Sequence, residues 1–528
     1  MLDVLIRGGM VCDGTGNPWT RLDIGVKDGR IAVIGKLEDK KAKRVIQAEG
    51  LVVAPGFIDP HVHSDLLCTK PDIHKIKVLQ GVTTELCGQD GISVAPISPA
   101  TKLKWQQQLK GLNGDIGDWP WETVDEYLSF IENSEISGNI AYLVPHGAVR
   151  TIAMGFSARE ATQEEIKIMC ELVEEGLKQG AFGFSSGIQY PPCVYSNKEE
   201  LTALCKVTAT YDGCFVVHIR NESNYSLEAL DEVIDAARQS GVRLHVSHFK
   251  VCGSINRDKW QEALQKLDNA RNEGIEVTFD QYPYTAASTV FQSILPPWMH
   301  DGGTDAMLKR LEDQQITDQV KIEMEENGEY DNPVRNNGWK KIVIASVQTS
   351  RNKECEGKSV ATIAKERGLE PAEAAFQLLR EEKAAVTMII HWGEEEDILQ
   401  AMQHPFHMVG SDGVFGGKPH PRLYGTFPRV LARYSRDMQV FPIWEAVRRM
   451  TSAPAQLLRL KDRGLLKEGY WADIVLFDWK TVQDNATYDE PLLLPTGIPY
   501  VLVNGEVVVD QSEFTRVTAG QVIRRGQV

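Results

Sequence analysis

The chain has 528 residues, of which 42% are hydrophobic and 25% charged, the make-up of an ordinary globular protein with ample material for a large core. A formal net charge of −16 argues against a nucleic-acid partner, since neutralising phosphates takes a basic surface. No run reaches the roughly 20 apolar residues of a membrane-spanning helix, and nine cysteines without paired spacing predict reduced thiols in a cytoplasmic protein rather than a disulfide framework.

At the N-terminus, Met1 to Ile6 is too short for a leader peptide and runs straight into Arg7-Gly8-Gly9. Residues 1–54 then read as short strands around Val4-Leu5-Ile6, Ile24-Gly25-Val26, Ile31 to Ile34 and Leu51-Val52-Val53. Gly-containing turns punctuate them. A matching set returns at 466–528, in Ala472 to Phe477 and in Val501 to Val508, which straddles the hairpin signal Asn504-Gly505. A small β-sandwich built from both termini is expected, enclosing a body over 55–465. That body alternates apolar runs at 57–58, 82–86, 140–144, 181–184, 214–217, 242–247, 275–279 and 407–410 with helical patterns such as Ile166, Met169, Val173 and Leu177. Eight strands is the number of a (β/α)8 barrel of the TIM type, in the α/β class. About 125 residues separate the last two runs, so an insertion after the seventh strand is expected over about 285–345. Two further apolar runs, at 342–345 and 386–390, do not fit the eight.

The polar residues at the strand ends suggest chemistry. His61 and His63 follow the first run one residue apart, a spacing that puts two imidazoles on one side of an extended chain. His218 follows 214–217, His248 follows 244–247 and Asp412 follows 408–411. In a barrel these ends share the C-terminal face, where active sites form. Each histidine alone reads as a hydrogen-bonded core residue; together, four imidazoles and a carboxylate at equivalent positions suit zinc or a similar divalent ion. His245, three residues before His248, falls on the opposite face by alternation and is read as structural.

Several stretches carry a resemblance. Pro55-Gly56-Phe57-Ile58-Asp59-Pro60-His61-Val62-His63, Gly180 to Gly187 ending in Ser185-Ser186-Gly187, and His218-Ile219-Arg220-Asn221-Glu222 are three of them. Ser247-His248-Phe249-Lys250, Asp280-Gln281-Tyr282-Pro283-Tyr284, Gly410-Ser411-Asp412-Gly413 and His420-Pro421-Arg422-Leu423-Tyr424-Gly425-Thr426-Phe427 complete the set. Over nearly its whole length the chain resembles the N-acyl-D-amino-acid deacylase (D-aminoacylase) family of the amidohydrolase superfamily. The resemblance implies a (β/α)8 barrel with a β-sandwich and an inserted segment. It also implies a metal-dependent hydrolase that splits N-acyl-D-amino acids into a carboxylate and a free amino acid.

The family often carries Gly-Asn-Cys-Gly after the second strand, its cysteine a metal ligand. Here the stretch is Gly88-Gln89-Asp90-Gly91, so Asp90 takes that place, with Cys87 the other candidate. The resemblance implies that His218, His248 and Asp90 hold a tighter ion and His61, His63 and Asp412 face a weaker one, with zinc or another divalent metal in one or two sites. Asp412 would be general base and then acid. For the substrate carboxylate, Lys250 and Arg422 are candidates, with Tyr282 or Tyr284 donating a hydrogen bond. Tyr190, with Pro191 and Pro192, would line the acyl side, and 295–298 would cap the pocket. Arg220 and Glu222 are expected to pair with each other. The expected partner is a small-molecule N-acyl amino acid, without nucleic acid or membrane; the oligomeric state is left open, a homo-oligomer being allowed. Two rivals stand beside this reading. One is a cyclic-amide hydrolase of the dihydropyrimidinase or hydantoinase type, which would want a lysine at the end of the fourth strand, where Ser185-Ser186 stands. The other is a non-catalytic scaffold, which would have lost its ligands.

Overall fold

The computed structural model describes residues 1–113 and 117–526; the last two residues of the expected C-terminal β-unit lie outside that range. Eight short strands form the centre: β1 (Phe57–Asp59), β2 (Val82–Cys87), β3 (Asn139–Tyr142), β4 (Gly183–Gly187), β5 (Cys214–His218), β6 (Arg243–Val246), β7 (Val277–Gln281) and β8 (His407–Val409). β1, β2 and β3 pair in parallel. Past Leu143 the chain continues as Val144–Pro145, which pairs with β4, and parallel pairing runs on through β5, β6 and β7 to β8. The ring closes just beyond the strand ends. Val62 bridges Gly413 in parallel, the Ser411 amide donates to Asp59 Oδ1 at 2.9 Å, and the Asp412 amide donates to the His61 carbonyl at 2.8 Å.

Alternation along each strand sorts side chains between two cores. Ile58, Leu86, Ala141, Val216 and Met408 belong to one cluster. Phe184, Phe215, Val217, Leu244 and Val246 belong to another, together with the apolar stripes of the helices. The helix Gln163–Lys178 shows why those helices form. Thr162 accepts from the Glu165 amide while the Glu165 side chain caps back, and Ile166, Met169, Val173 and Leu177 all fall on one buried face.

The two termini build one nine-stranded sheet. Its centre joins Val52–Pro55 from the N-terminal part to Ile474–Phe477 from the C-terminal part, antiparallel. Along the latter strand Ile474 and Leu476 enter the core of Val4, Ile6 and Ile24, while Val475 and Phe477 pack with Phe57, Phe427 and Leu431 of the barrel body. The sheet is therefore apolar on both sides, and one side is its seat on the barrel. The Asn504-Gly505 turn has φ of 49° and 85°, the double left-handed geometry that tight hairpins prefer. One strand of this sheet, Ala42–Gln47, pairs in parallel with Leu2–Val11 and has no counterpart among the strands expected from sequence.

The inserted segment is longer than the expected 285–345. Between β7 and β8 lies a separate three-stranded sheet in which Thr387–His391 is the middle strand, antiparallel to Ala286–Val290 on one side and Ile342–Ser346 on the other. Its own core includes Phe291, Met307, Ile344, Phe376, Leu379 and Met388. The two apolar runs that did not fit the barrel are strands of this unit, so the excursion extends at least to His391. Among the described residues no helix is long and apolar enough to cross a membrane.

Candidate metal centre

The C-terminal ends of the barrel strands bring the polar residues together. His61 and His63 follow β1, Asp90 follows β2, His218 ends β5, His248 follows β6 and Asp412 follows β8. They fall into two overlapping groups, His61, His63, Asp90 and Asp412 in one and Asp90, His218 and His248 in the other; within each, ligand-capable atoms lie within 4.8 Å of one another. Asp90 is common to both. Its Oδ2 is 3.4 Å from His61 Nε2, 3.5 Å from His63 Nε2 and 3.7 Å from His248 Nε2. Asp412 Oδ1 lies 3.2 Å from His63 Nε2 and 3.7 Å from His61 Nε2. All six residues are buried.

Backbone strain collects at the same place. Asp90, His248 and Asp412 have φ of 54°, 33° and 48°, in a region that non-glycine residues visit rarely and at a cost of about 1–3 kcal/mol each. Close packing accompanies it: a Cβ on Gly187, at the end of β4, would come within 2.4 Å of the Asp90 carbonyl oxygen.

The donor set fits a divalent cation. Both ring nitrogens of His61, Nδ1 of His63 and Oδ1 of Asp90 are buried without a hydrogen-bond partner among the described residues, and leaving such groups unpaired costs about 1–3 kcal/mol each. Imidazole and carboxylate donors converging in this way suit zinc and similar ions. Burial pushes the His218 imidazole down to about 4 despite the nearby Glu222 carboxylate, which keeps it in the neutral form that can coordinate a metal. Burial also works to raise the Asp412 carboxyl, but the Arg422 guanidinium and His61 outweigh it and hold that group well below the usual carboxylate range.

A second layer orients these donors. Asp280, at the end of β7, accepts from His245 Nε2 at 2.9 Å and from the His248 amide at 3.1 Å, and its Oδ2 lies 3.5 Å from His61 Nδ1. His245 therefore does not sit on the opposite face as alternation predicts: its imidazole reaches the Asp280 carboxylate that also faces His61. β6 ends at Val246, and the left-handed turn at His248, whose amide donates to the same Asp280, breaks the alternation. The His245 ring nitrogens are hydrogen-bonded to Thr278 Oγ1 and Asp280 Oδ2. Glu222 Oε1 lies 3.0 Å from His248 Nδ1 and 2.7 Å from Lys250 Nζ, and Gln189 Oε1 is hydrogen-bonded to His218 Nε2. Gln189 escapes sequence reasoning because it lies on a loop with no periodic signal, and Glu222 was read there only as a partner for Arg220; Asp280 stands at a strand end like the candidate donors and was visible in principle.

Of the two residues considered after β2, Asp90 is in both donor groups and Cys87 in neither. Cys87 Sγ packs 3.6 Å from Ser64 Oγ, and contact with Cys68 together with burial pushes its thiol well above the usual range.

The expected substrate-binding residues divide. A cavity opens beside His218, His248 and Asp412, with Tyr190 and Lys250 on its barrel wall and Ser288, Asp331 and Trp392 on the wall given by the insertion. The Tyr190 hydroxyl bonds to Thr289 Oγ1 at 2.8 Å. Lys250 is not a free cation at the mouth; it is buried, donating to Glu222 and 2.8 Å from His248 Nδ1. Arg422 reaches the centre but is likewise engaged, with Nη1 2.8 Å from Asp412 Oδ2 and Nη2 donating to the Ser288 carbonyl at 2.8 Å. The Tyr282 ring lies 4.4 Å from Arg422 and 5.6 Å from Lys250, and its buried hydroxyl has no partner among the described residues. Tyr284 is placed elsewhere: it packs under Arg429 at 4.7 Å and edge-on to His420 at 5.2 Å. Arg220 and Glu222 do not pair. The loop turns between them, so Arg220 reaches Glu232 on the helix Ser226–Ser240 and the carbonyls of Val194 and Ser196, while Glu222 faces Lys250. The stretch at 295–298 lies in the insertion and is tied to the barrel by the Tyr195 hydroxyl, which donates to the Pro297 carbonyl at 2.6 Å.

Known proteins resemble the chain along nearly its whole length. The sequence pattern of the amidohydrolase family matches residues 44–509. An N-acyl-D-glutamate deacylase from Alcaligenes xylosoxydans xylosoxydans is 35% identical over 526 residues, covering 99% of this chain and 97% of that protein. A D-aminoacylase from the same organism is 34% identical over 524 residues, covering 99% and 98%. Among solved structures, the N-acyl-D-glutamate deacylase of Bordetella bronchiseptica, complexed with zinc and a phosphonate mimic of the tetrahedral intermediate, superposes with a TM-score of 0.85 at 35% identity, covering 99% of both chains. Hydantoinase structures at 14–17% identity share the fold alone. With its donors on a closed barrel and its length matched end to end, the chain belongs to the amidohydrolase family and, within it, to the N-acyl-D-amino-acid deacylases.

Proposed function

We propose that this protein hydrolyses the amide bond of N-acyl-D-amino acids, releasing a carboxylate and a free D-amino acid. The observation that carries the reading is the pair of overlapping donor groups sharing Asp90, in a chain 35% identical end to end to an N-acyl-D-glutamate deacylase. His218, His248 and Asp90 would hold one zinc or similar ion, and His61, His63 and Asp412, again with Asp90, a second. When bound, the ion supplies Lewis acidity toward the amide carbonyl and the attacking water.

The protein's own groups do the rest. Asp412 is ionised at neutral pH, with Oδ2 held by Arg422 and Oδ1 turned to His63. Oδ1 takes a proton as the water oxygen bonds to the carbonyl carbon, and the same carboxyl returns that proton to the leaving nitrogen as the C–N bond breaks. The substrate's α-carboxylate is received by the unpartnered Tyr282 hydroxyl between Lys250 and Arg422, and Tyr190 borders the acyl side. Nine free cysteines support a reducing, cytoplasmic setting. The terminal β-unit, 1–54 with 466–528, is in this reading a support, and the insertion a cover over the site.

The test is metal content of the purified protein together with turnover of paired N-acetyl-D- and N-acetyl-L-amino acids, with and without added zinc. One or two equivalents of metal and D-selective release of amine is the expected result. Bound metal without turnover on any linear N-acyl amino acid would overturn the substrate, and no metal under any loading would overturn the mechanism.

A further inference from the structure

The cavity's charges are nearly all spoken for. Lys250 faces Glu222, and Arg422 faces Asp412; both cations flank Tyr282, where the α-carboxylate is received. One charge stands outside this balance. Asp331, brought in by the insertion, borders the cavity and accepts from the Glu222 amide at 3.0 Å and from the Ser223 hydroxyl at 2.5 Å. It makes no ion pair among the described residues. Neutral donors thus fix its position; burial and the neighbouring Glu222 carboxylate push its carboxyl up to about 6, so at pH 8 it is charged. Apart from the Glu222–Lys250 pair, which adjoins it, the wall beside it is uncharged, with Pro333, Asn336, Ile390 and Trp392, and Asn336 itself is held by donating to Ser223 Oγ at 2.8 Å.

Resting on the deacylase reading, we infer that Asp331 makes this a deacylase of D-amino acids with uncharged side chains, and that it turns away D-aspartyl and D-glutamyl substrates. A second carboxylate entering the cavity would meet Asp331 with no uncommitted cation among the described lining residues to receive it, and the same field acts on the transition state. Two unit charges about 6 Å apart at an effective dielectric of about 20 repel enough to change a rate about 100-fold. This separates the chain from relatives named for acidic substrates, an N-acyl-D-glutamate deacylase and an N-acyl-D-aspartate deacylase.

Isosteric pairs isolate the charge. With the zinc-loaded full chain at pH 8, kcat/KM is measured for N-acetyl-D-glutamine against N-acetyl-D-glutamate and for N-acetyl-D-asparagine against N-acetyl-D-aspartate. The amide is expected to exceed the acid about 100-fold in each pair. Asp331→Asn should collapse the ratio to a few-fold, chiefly by raising the acidic substrate, while Asp331→Glu, which keeps the charge, should preserve it. Equal rates within a pair, a preference for the acid, or an unchanged ratio in Asp331→Asn would each overturn the inference and leave the deacylase reading standing. Should the Asn variant not fold, the ratio in the parent protein decides alone. Absence of turnover on every N-acyl-D-amino acid would instead remove the deacylase reading and this inference with it.

Discussion

Asp90 is the residue on which both donor groups depend, since its Oδ2 is within 3.7 Å of imidazoles from β1 and from β6. Replacing it by alanine should strip metal from both positions, and equilibrium zinc binding by Asp90→Ala should fall to well under half of the parent's stoichiometry. Cys87→Ala, three residues earlier, should keep full metal content, because its sulfur faces Ser64 and Cys68 rather than the centre. Loss of metal in the cysteine variant would show that the thiol is the ligand after all. Asp412 carries a different burden. Asp412→Asn preserves shape but removes the proton carrier, so kcat should drop about 10²–10⁴-fold, the usual contribution of a positioned acid–base group, while the group of Asp90, His218 and His248 retains its ion. Retention of near-normal kcat by this variant would remove the aspartate from proton transfer.

At the scale of elements, much of this molecule was readable from its sequence and the gaps have physical causes. The barrel strands announce themselves because, enclosed by helices outside and side chains inside, they are apolar on both faces; the Cys214–His218 strand is buried throughout, and its terminal histidine stands out against that run. Ala42–Gln47 went unread because it borders the sheet with alternate residues exposed, and Lys43 and Arg44 interrupt the apolar pattern. The partners of Arg220 and Lys250 were unreadable for another reason: they lie 12 and 28 residues away, where only the fold decides what meets. Helix starts are local and therefore legible. Thr162 and Glu165 form a reciprocal cap, and Arg159 adds two hydrogen bonds to Glu165 at 2.8 and 2.6 Å. Thr162→Ala should cost about 1 kcal/mol of stability. That arginine and the capping donors hold the Glu165 carboxyl down at about 2, below its ordinary 4.5. Because the folded value is the lower one, its contribution is complete above about pH 4.5 and disappears as the pH falls toward 2. Denaturant titrations should therefore show Glu165→Gln less stable than the parent at pH 7, with the gap closing across that window. A gap that persists at pH 2 would mean that the carboxylate charge is not what the cap uses.

Across the whole molecule, the metal centre and the terminal sheet are linked through two short elements. Phe57 opens β1, four residues before His61, and its ring stacks on Phe427 at 5.6 Å and tilts against Phe477 of the terminal sheet at 6.4 Å. Phe427 sits on the helix Arg422–Arg429, whose first residue holds Asp412. One continuous set of contacts thus runs from the sheet core to the carboxylate at the centre. At the centre itself, six buried donors from five strands face one another, three on strained backbones, and an ion that satisfies them binds the folded chain and not the unfolded one. Such an ion stabilises by mass action, about 4 kcal/mol when its concentration is 1,000 times its dissociation constant. Removing metal with a chelator should therefore lower the melting temperature, and the linkage makes a stronger demand: the drop should appear in signals from the terminal sheet as well as from the barrel, as one shifted transition. Trp471 fluorescence reports the sheet, since that residue bridges Arg30 within it, in a variant whose other tryptophans are replaced by phenylalanine. If chelation shifts the barrel's unfolding and leaves the Trp471 transition where it was, the two units unfold independently and the Phe57–Phe427 contact does not couple them. If both move together, Phe427→Ala, expected to cost about 3–5 kcal/mol as a large buried truncation, should separate them again, with the chelator then felt by the barrel alone.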